Sequence, residues 1–125
     1  MLLKNVNKTA FLFFIFSILI VMANAQTTGV CKDNFNKQLA IYNKGQYENI
    51  NNSMAGCISD ILGNAAYKQR RDIVYKVYKM CVNAYRYLDQ EKAAQQKVGE
   101  VAAYLGISAA EVEKNLAGTA LTVIE

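Results

Sequence analysis

The apolar residues of this chain recur with the period of an α-helix, and its 125 residues contain no proline to interrupt them. Four stripes repeat at intervals of three or four residues, which places each stripe along one face of a helix. The stripes are Phe35, Leu39 and Tyr42; Tyr47, Ile50, Met54, Ile58 and Ile61; Ile73, Val77, Cys81, Ala84 and Leu88; and Ala94, Val98, Val101 and Leu105. No stretch alternates with a period of two for long enough to indicate a strand. The sequence therefore predicts an all-α fold.

Glycine and capping residues divide these stripes into helices near 30–44, 47–62, 66–87, 90–105 and 109–116. We expect Gly45 and Gly106 to end helices, and Gly63-Asn64 to end one with a left-handed residue. Asp89 is expected to be an N-cap, and Ser108 with Glu111 matches a capping box. The third helix carries a second apolar set, which predicts a central position (Val74, Tyr78, Val82 and Tyr85). The tail 117–125 is expected to be frayed.

The first 25 residues match a secretory signal peptide. Lys4 and Lys8 precede an apolar run over 10–22, and Ala23-Asn24-Ala25 supplies the small residues of a cleavage site. A membrane anchor is the alternative, but the run is shorter than the roughly 20 apolar residues of a spanning helix. We therefore expect a protein exported to a periplasm or secreted, with one domain over 26–125 and no stable membrane insertion after cleavage.

Two segments indicate an internal repeat of a helical hairpin. With an offset of 43 residues, Tyr42 aligns with Tyr85 and Glu48 with Glu91. The segment 42–50 (Tyr-Asn-Lys-Gly-Gln-Tyr-Glu-Asn-Ile) resembles the tight turn of the tetratricopeptide repeat (TPR) family, and 88–93 resembles the same turn with Leu in place of Gly. The resemblance covers about 31–105 and extends to short exported TPR-like proteins of gram-negative bacteria. It implies a small antiparallel helical-hairpin domain of four to five helices.

Three cysteines in an exported chain allow one disulfide and one remaining thiol. In a hairpin centred near Gly45, Cys31 at the start of the first helix lies opposite the end of the second helix, within about one turn of Cys57. Cys81 would lie about 15 Å along the axis from Cys57, which exceeds the roughly 7 Å Cα separation that a bridge tolerates. We predict a Cys31–Cys57 disulfide and a buried Cys81.

The residues that commonly carry catalysis are missing or scattered. The chain contains no histidine and no glycine-rich phosphate loop, so we expect no enzyme activity, no metal site and no cofactor. Lys4 and Lys8 fall within residues 1–25, so 12 of the 14 basic side chains remain against 10 acidic ones. This near-neutral balance argues against nucleic-acid binding.

Tyrosine is the main indication of a binding surface, because tyrosine and arginine are common in binding hot spots. The resemblance implies that the first helix of each hairpin lines a groove. That groove would present the predicted partner-binding residues Tyr42, Tyr75, Tyr78, Tyr85 and Arg86. The alternative is that these rings fill the core. The sequence thus predicts a non-catalytic module that binds an unidentified protein or peptide, within a cell-envelope assembly; the alternative function is a carrier of an apolar ligand.

Overall fold

The computed structural model describes residue 29 and residues 31–125. Helix α1 covers 31–43, α2 Ile50–Leu62, α3 Arg71–Tyr87, α4 Glu91–Leu105 and α5 Ala109–Ala117, and a 3₁₀ helix covers Ala65–Gln69. The described part of the chain contains no strand, so the predicted all-α fold of a small domain is confirmed. The predicted signal peptide lies outside the described residues.

Helix α3 is the centre of the domain. It packs against α2, α4 and α5, and nine of its 17 residues are buried. Residues from both apolar stripes of this helix, such as Val77 and Tyr78, have no exposed surface. Neighbouring elements therefore cover α3 on more than one side. Burial of this wide apolar arc is the main stabilising contribution that the sequence pattern predicts.

Three helices end with the same left-handed turn. Gly45, Asp89 and Gly106 follow α1, α3 and α4 with φ of +76°, +57° and +68°. In each case the next N–H donates to the carbonyl five residues earlier, as from Gln46 to Ile41, which is a Schellman cap. Gly45 and Asp89 are 44 residues apart, so the turns repeat with a spacing one residue longer than the predicted alignment.

Two of the predicted caps are wrong. Asp89 is not an N-cap but the left-handed residue that ends α3, a conformation that Asp tolerates better than most residues. Gly63 has φ of −85° and is right-handed. The following Asn64 caps the 3₁₀ helix by accepting from the Ala66 N–H at 3.0 Å, and this short element separates α2 from α3.

Local chemistry fixes the start of α5 as predicted. Ser108 is the N-cap, and its hydroxyl accepts from the Glu111 N–H at 3.1 Å. This bond satisfies one of the N–H groups that the first turn of a helix leaves without a partner. Gly106 ends α4 two residues earlier, so α5 folds back immediately beside α4.

A disulfide joins Cys31 of α1 to Cys57 of α2, with 4.9 Å between the Cα atoms. Cys81 is a free thiol and is buried in α3. The pairing is the one that the antiparallel α1–α2 hairpin predicts, and it closes a loop of 26 residues.

Residues 118–125 are not frayed but lie against the helices. This stretch, which we name the 118–125 segment, is non-helical and lies against α1 and α3. Ile124 is 4% exposed, and both of its backbone polar groups bond to the Asn36 side chain on α1. No periodic pattern predicts this position, because backbone hydrogen bonds and the apolar side chains of Leu121 and Ile124 hold the segment.

Candidate partner-binding surface

Two of the predicted partner-binding tyrosines lie in the core. Tyr78 has no exposed surface, and its hydroxyl donates to Glu100 Oε2 of α4 at 3.2 Å. Burial raises the pKa of the Tyr78 phenol well above its usual value, and the nearby Glu100 carboxylate raises it further. Tyr78 therefore cannot contact a partner in this fold. The described residues contain no tryptophan and one phenylalanine, so tyrosine provides most of the aromatic rings in the core, namely Tyr67, Tyr75 and Tyr78 beside Phe35.

Tyr75 ties α3 to α5. It is almost completely buried, and its hydroxyl accepts from Asn115 Nδ2 at 2.9 Å. Tyr85 is half-buried and packs against the core from the same helix. The Tyr75 ring is therefore almost closed to a partner, whereas the Tyr85 ring keeps part of its surface exposed.

Arg86 is occupied by two carboxylates of its own chain. Its Nη2 lies 2.8 Å from Glu113 of α5, and its Nε lies 3.1 Å from Glu91 at the start of α4. The bond to Glu113 is the largest influence that raises the pKa of the Arg86 guanidinium, and the bond to Glu91 adds to it. Arg86 thus connects three helices, and its binding role stays a prediction.

Three tyrosines form the aromatic surface of the domain, and we name Tyr42, Tyr47 and Tyr87 the tyrosine cluster. The rings of Tyr47 and Tyr87 are stacked, with centroids 4.4 Å apart and an angle of 13° between their planes. Tyr42 meets both edge-on, at 5.4 Å from Tyr47 and 6.3 Å from Tyr87. Tyr87 is 61% exposed, the most exposed of the large apolar side chains in the described part of the chain.

Backbone turns bring these rings together. Tyr42 lies in the last turn of α1, Tyr47 in the loop after the left-handed Gly45, and Tyr87 at the last position of α3. Asn83 Nδ2 on α3 donates to the Tyr42 hydroxyl at 3.2 Å and so fixes the α1 ring against α3. Burial raises the pKa of the Tyr42 phenol, while the Asn83 bond lowers it in part.

Of the predicted binding residues, the tyrosine cluster contains Tyr42 alone. The prediction did not include Tyr47 and Tyr87, although the sequence contains an indication that Tyr87 is exposed. Position 87 belongs to neither apolar stripe of α3, which predicts that the side chain points outward. The same reasoning fails at Tyr75, which also lies outside both stripes but is only 9% exposed, so the packing of α5 against α3 distinguishes the two rings.

A depression of about 190 Å³ lies beside the cluster, between α3 and α5. Its walls combine charged and apolar side chains: Lys79, Val82, Asn83, Arg86, Glu113, Leu116 and Ala117. A second depression of about 410 Å³ lies between α1 and the start of α2 and is lined mostly by polar side chains, including Lys37, Gln38 and Glu48. Both are open to solvent, so neither resembles the enclosed apolar cavity that the carrier alternative requires.

Three further features bear on the chemistry of the described residues: the Cys81 thiol, possible metal ligands and possible membrane spans. Burial raises the pKa of the Cys81 thiol to about 12, so this sulfur is a neutral, weakly nucleophilic thiol at neutral pH. No group of three acidic, cysteine or histidine side chains that could hold a metal ion occurs among residues 31–125. Over the same stretch, no helix is long and apolar enough to span a bilayer.

Comparison of the chain with protein-family models, with curated proteins and with solved structures finds no match.

Proposed function

We propose that this chain is a non-catalytic, exported module that binds another protein through the tyrosine cluster. The observation that carries the proposal is the exposed ring of Tyr87, which is stacked on the half-buried ring of Tyr47. Tyrosine supplies large, rigid contact area with a polar edge, and such residues dominate the binding energy of many interfaces. The domain is a TPR-like helical hairpin in this proposal, and its place is a cell-envelope assembly of the periplasm or an extracellular one.

Preorganisation supports the cluster as a docking surface. Tyr42 and Tyr47 hold the Tyr87 ring from two sides, and the Asn83 bond holds Tyr42 in turn. Rings that are already ordered lose less conformational entropy when a partner covers them, so more of the contact area contributes to affinity. The disulfide supports export, since such bonds persist in oxidising compartments.

The test is site-specific cross-linking from the cluster. A photoreactive benzoylphenylalanine in place of Tyr87 is expected to cross-link one partner protein in envelope extracts, and excess unmodified protein should compete with it. The same group in place of Leu62, another exposed apolar residue that lies at the end of α2, is the matched control. Tyr87→Ala should weaken binding of the purified partner at least tenfold.

The proposal fails if the two photoreactive variants give the same cross-linked products, or if Tyr87→Ala binds the partner as tightly as the wild type. A tenfold loss must occur without unfolding. Circular dichroism of Tyr87→Ala provides that control: the helical spectrum should match the wild type, and the melting temperature should fall only by the few degrees that loss of the stacked pair implies.

A further inference from the structure

The 118–125 segment is non-helical, with a tight turn in which the Thr122 N–H donates to the Ala120 carbonyl at 3.1 Å, and it lies on α1 and α3 as a bound peptide lies on a receptor. Three side chains hold it, and we name Asn36, Lys76 and Lys79 the segment site. Asn36 Nδ2 donates to the Ile124 carbonyl at 3.0 Å, and Asn36 Oδ1 accepts from the Ile124 N–H at 2.8 Å. One amide side chain thus satisfies both polar groups of a single residue, which is the pairing that a neighbouring β-strand would supply.

The two lysines also donate hydrogen bonds to the backbone of the 118–125 segment. Lys79 Nζ donates to the Thr119 carbonyl at 2.6 Å, and Lys76 Nζ donates to the Val123 carbonyl at 3.0 Å. Lys76 makes one further bond, to the Thr122 hydroxyl at 3.0 Å. Within residues 31–125, neither lysine pairs with a carboxylate, so their charges are directed at carbonyl oxygens of the segment.

Side-chain recognition is limited to a small part of the segment. Ile124 is buried and Leu121 is partly buried, whereas Ala120, Thr122 and Val123 are exposed. Contacts to the backbone and to one apolar side chain tolerate many sequences, and peptide receptors combine such backbone bonds with a pocket for one side chain. The requirements on an occupant are therefore free backbone carbonyl and N–H groups and a branched apolar residue at the position of Ile124.

We propose that the segment site binds a non-helical segment of another protein that carries a branched apolar residue, and that residues 118–125 occupy it in cis until that segment displaces them. This inference extends the proposed protein-binding function to a second surface, and its test in purified protein does not depend on Tyr87. A tethered occupant competes at a high effective concentration, so the apparent affinity for a free peptide is reduced by the fraction of molecules in which the site is open.

The experiment uses a variant that displaces the 118–125 segment from its site, and then adds the same sequence as a separate peptide. The probe is a fluorescent synthetic peptide with the sequence of residues 118–125, and the receptor is the full chain. Ile124→Asp places a carboxylate in a buried apolar position and should expel the segment, while the three residues of the segment site stay unchanged. Val123→Asp is the matched control, because this neighbour is 51% exposed and the same charge there leaves the segment in place.

We expect Ile124→Asp to bind the probe at least tenfold more tightly than the wild type or Val123→Asp, as measured by fluorescence anisotropy. Adding Asn36→Ala to Ile124→Asp should remove that gain. Tyr87→Ala should leave it unchanged, so that failure of this inference and failure of the proposed function remain distinguishable. The proposal is overturned if Ile124→Asp is folded by circular dichroism and binds the probe no better than Val123→Asp.

The wild-type chain provides a second measurement that needs no folded variant. In the ¹⁵N-labelled protein, excess unlabelled probe should move the amide signals of Thr119 to Ile124 toward the positions of a free peptide. Unchanged signals at millimolar probe would overturn displacement. A concentration-dependent dimer of the wild type that Ile124→Asp abolishes would assign the site to a second copy of the chain, and would likewise overturn the proposal.

Discussion

Asn36 and Ile124 are 88 residues apart in the chain and exchange two hydrogen bonds, of 3.0 and 2.8 Å. This pairing joins the first helix to the last described residues, so the ends of the domain stabilise each other. We expect Ile124→Ala to lower the free energy of unfolding by about 2 kcal/mol, since it removes a buried branched side chain. Val123→Ala should change it by less than about 0.5 kcal/mol. Urea unfolding followed by circular dichroism measures both, and equal effects would contradict the docked position of Ile124.

The Cys31–Cys57 disulfide should stabilise the domain mainly through the unfolded chain. Closing a loop of 26 residues corresponds to about 3 kcal/mol of lost chain entropy in the unfolded state. The double variant Cys31→Ala with Cys57→Ala should therefore have a free energy of unfolding lower by that amount, with the helices of the native state retained. Alanine is used because serine would place a hydroxyl at two buried positions. Urea unfolding measures the change, and a double variant as stable as the wild type would show that the bond contributes nothing to stability.

Arg86 should contribute to stability more than Arg70 does, although both form ion pairs. Arg86 joins Glu91 and Glu113 and its side chain is 32% exposed, whereas Arg70 pairs with Asp72 alone and is 49% exposed. Arg86→Ala should lower the free energy of unfolding by about 1 kcal/mol, and Arg70→Ala by less than about 0.5 kcal/mol, since exposed single ion pairs contribute little. High salt should reduce the difference between the two losses, because it screens the ion pairs. Chemical denaturation of the two variants tests it, and equal losses would mean that the Arg86 network is ineffective.

Alkaline pH should destabilise the fold through Cys81 and Tyr78. Both folded-state pKa values are raised by burial, that of Cys81 to about 12, so the fold favours the neutral forms. Their contribution is complete below the unfolded pKa values and is lost as the pH rises toward the folded ones. Above about pH 9, the free energy of unfolding should fall by about 1.4 kcal/mol per pH unit for each titrating group. Cys81→Ala should flatten this decline between pH 9 and 10, and an unchanged slope would contradict the burial of the thiol.

The sequence predicted the helices and the disulfide because local rules determine them. Ser108 caps α5 through its own hydroxyl, and Cys31 meets Cys57 because an antiparallel hairpin leaves little choice. The surface was less predictable. Tyr78 lies in a stripe that the same pattern assigns to a core or to a groove, and only the packing of α4 against α3 decides between them. Docking of Ile124 depends on a contact across 88 residues, for which the chain carries no local signal.

The stacked pair of Tyr47 and Tyr87 should show energetic coupling even without a partner. Their centroids are 4.4 Å apart, and such aromatic pairs contribute about 0.5–1.5 kcal/mol beyond the area that they bury. In a double-mutant cycle, Tyr47→Ala and Tyr87→Ala should therefore destabilise the protein by less together than the sum of their separate effects. Tyr104→Ala with Tyr87→Ala is the control cycle, because the Tyr104 hydroxyl bonds to the Asn64 carbonyl and its ring takes no part in the cluster contacts. Coupling in the first cycle alone would show that the cluster is ordered before binding, and additivity in both would mean that Tyr87 is free to move.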